Sequence, residues 1–206
     1  MSRPNYSGGL IAYSCTTPTQ PGAGNITNEP LLLDWTGGNL RLQFNSPCIN
    51  AGGNAYIHTL EDLDGNERVK GGTVDIGAYE FQDPTSILSY AWLQQYGLAT
   101  DGTADYADPD GDGHNNWQEW RCGTDPTNAL SVLRLLMPSA SFTNVVLTWQ
   151  SEAGLSYVLD RSTNLQKSST FTPVATNILG QEATTTYIDT NAPVGSLFYR
   201  VGVNSP

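Results

Sequence analysis

Lysine and arginine are scarce in this chain, nine in 206 residues against 20 aspartates and glutamates. Neutralising a phosphate backbone needs clustered cations, so nucleic acid is excluded as a partner. Charged residues of both signs make up 14%, well below the roughly 25% of ordinary soluble domains. Short polar residues fill the gap, and they satisfy loop backbone groups in turn-rich, extracellular β folds. Long apolar runs are missing too: none approaches the roughly 18 residues that a membrane span requires. The opening MSRPNYSGGLIAYSC lacks the basic start and apolar core of a signal peptide. An extracellular composition without an export signal implies a fragment, with the N-terminal part of the protein upstream of Met1. Cysteine is limited to Cys15, Cys48 and Cys122. An odd count leaves at most one internal pair, for which Cys15 with Cys48 is preferred. No Cys-x-x-Cys spacing points to zinc, and no G-x-S-x-G elbow points to a serine hydrolase.

What the chain has in excess is acid, with a formal net charge of −11. Over half of it lies between Asp101 and Asp125, where Asp101, Asp105, Asp108, Asp110, Asp112, Glu119 and Asp125 face a single Arg121. Such density repels itself unless a cation sits within it. The stretch Asp108 to Glu119, DPDGDGHNNWQE, meets the full D-x-D-x-D-G-x₅-E pattern of an EF-hand calcium loop. Ca²⁺ is a hard cation that takes six to eight oxygens. Asp108, Asp110 and Asp112 occupy ligand positions 1, 3 and 5, and the His114 carbonyl stands at 7. Asn116 stands at 9, often filled through a water, and Glu119 is the bidentate ligand at 12. Gly113 sits at position 6, where the chain turns sharply. Position 8 holds Asn115 instead of the aliphatic residue that pairs one EF-hand with another. That departure predicts a solitary site or one paired with an irregular loop. Asp101 and Asp105 on such a loop, and Asp125, are candidates for extra oxygens. The stretch resembles dockerin and thrombospondin type 3 repeats, whose D-x-D-x-D-G units also bind calcium.

Three segments are expected: 1–83, 84–130 and 131–206. In the first, Leu10 to Tyr13, Pro30 to Leu33, Leu40 to Phe44 and Val74 to Phe81 carry strand signals between Gly-, Asn- and Pro-rich turns. The phrases NSPCINAG, DLDGNERVKGG and TVDIGAYEF resemble the C-terminal end of right-handed parallel β-helix proteins of the pectate-lyase-like architecture, common in large bacterial surface proteins. The resemblance implies terminal rungs attached to further rungs upstream. The second segment reads as a calcium-binding linker between two helices. The first of these carries Ile87, Leu88, Ala91, Trp92, Gln95 and Tyr96 at helical spacing, with Asp83 or Thr85 as cap and Gly97 at the C-terminus. The second runs from near Asn116 to before Gly123. The third segment alternates at Val145-Leu147-Trp149 and Tyr157-Leu159, which predicts a small antiparallel β-sandwich of five to seven strands. Its LTWQSEAGLSYVLDRSTNL and LFYRVGV resemble fibronectin type III-like modules of bacterial secreted proteins. The fold class is therefore mainly β.

Two functions compete. In the first, the chain is a non-catalytic, calcium-stabilised region of a secreted or cell-surface protein, serving presentation, adhesion or contact with a polysaccharide or cell-surface glycan. In the second it is part of a polysaccharide lyase or glycoside hydrolase. Paired carboxylates in a cleft are needed for glycoside hydrolysis, and a β-helix lyase would want a cation on a rung face. Arg41, Arg68 and Lys70 are the candidates for that cation. His58 with Glu61, Asp62 and Asp64 reads as a solvated loop before it reads as a metal or acid–base cluster.

Overall fold

The computed structural model describes residues 11–141, 144–165 and 171–204. It is mainly β, with antiparallel sheets, two short α-helices and one 3-10 turn among the described residues. The chain forms two compact units, Met1–Ala107 and Asp108–Pro206. The expected linker 84–130 is thus divided, its first helix falling in one unit and the calcium-type loop in the other.

In the first unit, β1 (Leu32–Asp34) and β2 (Asn39–Leu42) form an antiparallel hairpin, with Leu32 opposite Leu42. Leu42, Cys48, Ile49 and Tyr90 make the core, and Cys15, Ile26, Leu32, Ile76 and Phe81 pack on it. Parallel pairing among the described residues is confined to one bridge, Cys15 with Ile26. The start of the Leu10 to Tyr13 run lies outside the described residues. Val74 to Phe81, expected as a strand, is not one, because its amides are taken elsewhere. Val74 donates to Asn54 Oδ1 at 2.8 Å, Asp75 to Glu80 Oε2 at 3.0 Å and Phe81 to Asp75 Oδ2 at 2.7 Å. Side-chain acceptors so placed compete directly with a strand ladder for the same N–H groups.

The three β-helix-like phrases converge in one hydrogen-bond knot. The Asn50 amide donates to Asp75 Oδ1, and Thr73 Oγ1 donates to the Asn50 carbonyl at 2.7 Å. Lys70 N donates to Glu80 Oε1 and Glu80 N to Asp62 Oδ2, each at 3.0 Å. Gly52 permits this approach: a Cβ there would lie 2.6 Å from the Val74 carbonyl oxygen. Both Asp75 and Glu80 are buried. Burial pushes the Asp75 carboxyl up to about 6, and burial with the Asp75 charge pushes Glu80 up to about 7.

Helix α1 (Tyr90–Gln95) is shorter than its periodicity implies, and its N-cap is Ser89, not Asp83 or Thr85. Residues before it are held by tertiary partners. Asn50 Nδ2 donates to the Ser86 carbonyl at 2.8 Å, and Asp105 accepts from Ser86 Oγ at 2.5 Å and Ile87 N at 3.1 Å. These bonds pull Ser86 and Ile87 out of any helical ladder. Gly97 follows the helix with φ +67°, as expected of a C-terminal glycine.

The second unit opens with the acidic loop and α2 (Asn116–Cys122). Six strands follow: β3 (Ser139–Ser141), β4 (Asn144–Ser151), β5 (Ser156–Ser162), β6 (Thr172–Leu179), β7 (Ala183–Asp189) and β8 (Phe198–Val203). They pair antiparallel in two three-stranded sheets, β3-β4-β7 and β6-β5-β8. Val145, Leu147 and Trp149 alternate inward along β4 as the sequence predicts. Val145 and Leu147 meet Leu159 of β5 and Ala192 in one core, joined by Ile178, Tyr187 and Tyr199. Trp149 and Tyr157 are fully buried with ring centroids 5.9 Å apart.

Candidate metal centre

The loop Asp108–Glu119 is shaped by its own carboxylates. Asp108 accepts from Gly111 N at 2.8 Å and from Gly113 N at 3.1 Å. Asp110 Oδ1 accepts from Asp112 N at 3.2 Å, and Asp112 Oδ1 from His114 N at 2.7 Å. The turn relies on positive φ at Gly111 (+75°) and Gly113 (+96°), which is the role expected of the glycine at position 6. One carboxylate oxygen from each of Asp108, Asp110 and Asp112 lies within 4.8 Å of the others.

Glu119 reaches this loop from the first turn of α2. The helix is anchored by a reciprocal cap: Gln118 N donates to Asn115 Oδ1 at 3.0 Å, and Asn115 N to Gln118 Oε1 at 2.9 Å. Asn115, anomalous as an EF-hand position 8, is therefore the residue that starts α2. The N-x-x-Q spacing carried that signal in the sequence. At the other end Gly123 closes the helix in the left-handed conformation. A Cβ there would meet Glu152 Cγ at 3.2 Å and Leu155 Cδ1 at 3.4 Å. The end of α2 thus rests on the turn between β4 and β5, which ties the loop to the sheets.

Glu119 is 1% exposed, and its Oε2 has no hydrogen-bond partner. Asp110 Oδ2 and Asp112 Oδ2 are likewise buried and unpartnered. Thr124 Oγ1 makes only a long 3.5 Å contact with Glu119 Oε1. Burial, then the charges of Asp110 and Asp112, pushes the Glu119 carboxyl up to about 7. Unsatisfied buried carboxylate oxygens are costly, and a hard cation would satisfy several at once. Asn116 is fully buried in the first turn of α2, and His114 Nδ1 lies 3.4 Å from Asp112 Oδ1.

The other expected oxygens are used elsewhere. Asp105 bonds Ser86 and Ile87 in the first unit. Asp101 accepts from the hydroxyl and amide of Thr103, which hold it below the usual carboxylate range. Asp125 caps a turn through Thr127 N at 3.0 Å and Thr127 Oγ1 at 2.7 Å. None of the three belongs to the carboxylate cluster of Asp108, Asp110 and Asp112; Glu119 also stands outside that cluster but is coupled to its charges.

A cavity of about 340 Å³ in the first unit is lined by Tyr13, Tyr56, His58, Arg68 and Asp75, among others. Of its polar groups, Asp75 is committed to the fold and Arg68 in part, since Arg68 Nη1 is buried without a hydrogen-bond partner, 4.0 Å from Glu80 Oε2. Asp75 is 3% exposed with both oxygens bonded to backbone amides, and Arg68 donates to the Gly77 carbonyl at 2.5 Å. The remaining candidate cations are paired, Arg41 with Asp64 and Lys70 with Glu67 at 2.9 Å. Around His58, Asp62 is spent on the amides of Asp64, Asn66 and Glu80. No helix among the described residues is long and apolar enough to cross a membrane. Comparison with protein families, curated proteins and solved structures finds no match to this chain.

Proposed function

We propose that the chain is a calcium-stabilised, non-catalytic region of a secreted or cell-surface modular protein, with Ca²⁺ held by Asp108, Asp110, Asp112 and Glu119. The His114 carbonyl and a water near Asn116 complete the shell, in the manner of a dockerin-like loop. The observation that carries this reading is the buried Glu119 with an unpartnered Oε2, set beside two more unpartnered carboxylate oxygens. With α2 seated on the β4–β5 turn, the ion would brace the N-terminal edge of a fibronectin-like sandwich. The first unit is read as the closing end of a parallel β-helix. The knot of the three phrases and the parallel bridge at Cys15 support it. Outside cells, millimolar calcium keeps even a weak site filled, with Kd on the order of 10⁻⁴ to 10⁻³ M. Such a region would present a polysaccharide-binding or adhesive partner domain. The lyase or hydrolase alternative has less support, because Asp75 is bonded to backbone amides, Arg68 donates to the Gly77 carbonyl and Arg41 pairs with Asp64.

The test is thermal unfolding of the chelator-treated protein with and without millimolar CaCl₂. Saturating calcium should stabilise it by about 1–3 kcal/mol, and Asp110→Ala should abolish that gain. Equal melting temperatures in both conditions would remove the metal from the account, and so leave the acidic loop an ordinary hydrated turn.

A further inference from the structure

The first unit places two cysteines together that its turns keep far apart in sequence. Cys15 sits on the parallel bridge to Ile26, held by Thr16 N to the Ile26 carbonyl and by Ile26 N to the Ser14 carbonyl, each at 2.9 Å. Cys48 is held by its amide on Ser46 Oγ at 3.1 Å and by its carbonyl, which accepts from Ile76 N at 2.9 Å. Between these two anchored backbones Cys15 packs on the core that contains Cys48, while its Sγ donates to the Asn28 carbonyl at 3.0 Å. All three cysteines of the chain are free thiols, and the third, Cys122, belongs to the other unit. The pairing preferred on sequence grounds is therefore present as two free thiols in one core, not as a bond.

We propose that Cys15 and Cys48 are a redox-convertible pair, closing to a disulfide when the chain meets a small-molecule disulfide oxidant, while Cys122 stays a thiol. The two steps balance. The Cys15 thiolate attacks one sulfur of the oxidant RSSR, forming a mixed disulfide and releasing RS⁻. Cys48 then loses its proton to solvent and attacks Cys15 Sγ, expelling the second RS⁻. Two protein thiols are oxidised, and one RSSR is reduced to two RSH. Cys15 goes first because it is the more accessible of the two, Cys48 being 1% exposed. Burial pushes both thiols above their ordinary range, Cys48 to about 12, so exchange is slow at neutral pH. Closure ties the bridge strand to the NSPCINAG phrase. A cross-link over a loop of this length restricts the unfolded chain and raises the melting temperature by on the order of 10 °C.

The experiment uses the full chain, incubated at pH 8.5 with oxidised glutathione and then quenched, alkylated and digested. The expected result is a Cys15–Cys48 linked peptide, a free Cys122 and a higher melting temperature that dithiothreitol reverses. Cys15→Ser tests the assignment with little disturbance of the core: it should leave Cys48 a free thiol and abolish the melting shift. Three unmodified thiols, a stalled glutathione adduct on Cys15, or a linkage through Cys122 would each overturn the pair. These readouts involve no metal, so they stand or fall apart from the calcium site.

Discussion

The backbone N–H of Asn50 donates to Oδ1 of Asp75 across 2.8 Å, joining two residues 25 positions apart, both of them buried. Asn50 itself takes a positive φ of 51°, a conformation that asparagine tolerates better than most residues. Its side chain then spans to the Ser86 carbonyl. One residue thereby holds the turn, the carboxylate and the approach to α1. Asn50→Ala removes the side-chain bond and places alanine in the left-handed region, so a loss of about 2–4 kcal/mol is expected. Urea denaturation of the full chain measures it, and a loss below about 1 kcal/mol would mean that the knot does not organise the unit.

The same knot makes the first unit sensitive to alkali. Asp75 at about 6 and Glu80 at about 7 lie above the roughly 4 of unfolded carboxylates. The folded state therefore holds protons that the unfolded state has already released. This contribution is complete below about pH 4 and is lost as pH rises through 6 and 7. Melting temperature in excess calcium should fall between pH 5 and pH 8, and Glu80→Gln should flatten the fall. A rise over that interval would show that the backbone amides and Arg68 outweigh burial.

Glu119→Gln should act in opposite directions with and without the ion. In the chelated protein it removes a negative charge that faces Asp110, Asp112 and Asp108, so melting should move up by a few degrees. With calcium it deletes the proposed bidentate ligand, so affinity measured by calorimetry should drop at least about tenfold, or about 1.4 kcal/mol. A variant as calcium-responsive as the parent would place the ion elsewhere.

In the second unit Arg161 pairs with Asp189, which also accepts from Tyr199 Oη at 2.9 Å and from Asn191 N at 3.1 Å. Burial raises the Asp189 carboxyl, but the bonds from Tyr199 and Arg161 outweigh it and leave it below its ordinary range. Arg161→Ala strands that buried charge, at a cost of about 2–4 kcal/mol. A depressed carboxyl stabilises above its unfolded value and loses the effect as pH falls through the folded one. The parent should therefore lose more stability than the variant between pH 5 and pH 2, as followed by guanidinium titration. Parallel losses would show that the ion pair adds nothing.

The second unit was the more legible of the two because its structure is repetitive and local. Alternation along Val145, Leu147 and Trp149 marks a strand with one buried face, and that period is written in consecutive residues. The turn of the acidic loop was legible for a related reason: a D-x-D-x-D-G run carries its carboxylates and its turn glycine within a few positions. Two misreadings had the same cause. Val74 to Phe81 looks like a strand, and residues from Asp83 onward look like a helix, until distant acceptors claim their backbone groups. Neither Asn54, which takes the Val74 amide, nor Asp105, which takes the Ile87 amide, is near those segments in sequence.

Sequence alone determined the turn of the acidic loop, the extent of α2 and the inward face of β4, all of which follow from side chains within a turn or a pleat of one another. Only the tertiary structure decided which carboxylates share a site. Asp101, Asp105 and Asp125 have the same chemistry as Asp108, Asp110 and Asp112 and nearly the same place in the chain. Asp105 spends both oxygens on Ser86 and Ile87, and Asp101 and Asp125 each bind a threonine through Oδ1, whereas the Oδ2 atoms of Asp110 and Asp112, with Oε2 of Glu119, are buried and unpartnered. Burial without a partner separates them, since Asp110 and Asp112 also accept amides on Oδ1 while their other oxygen is shut away from water, and that burial exists only once the chain has folded.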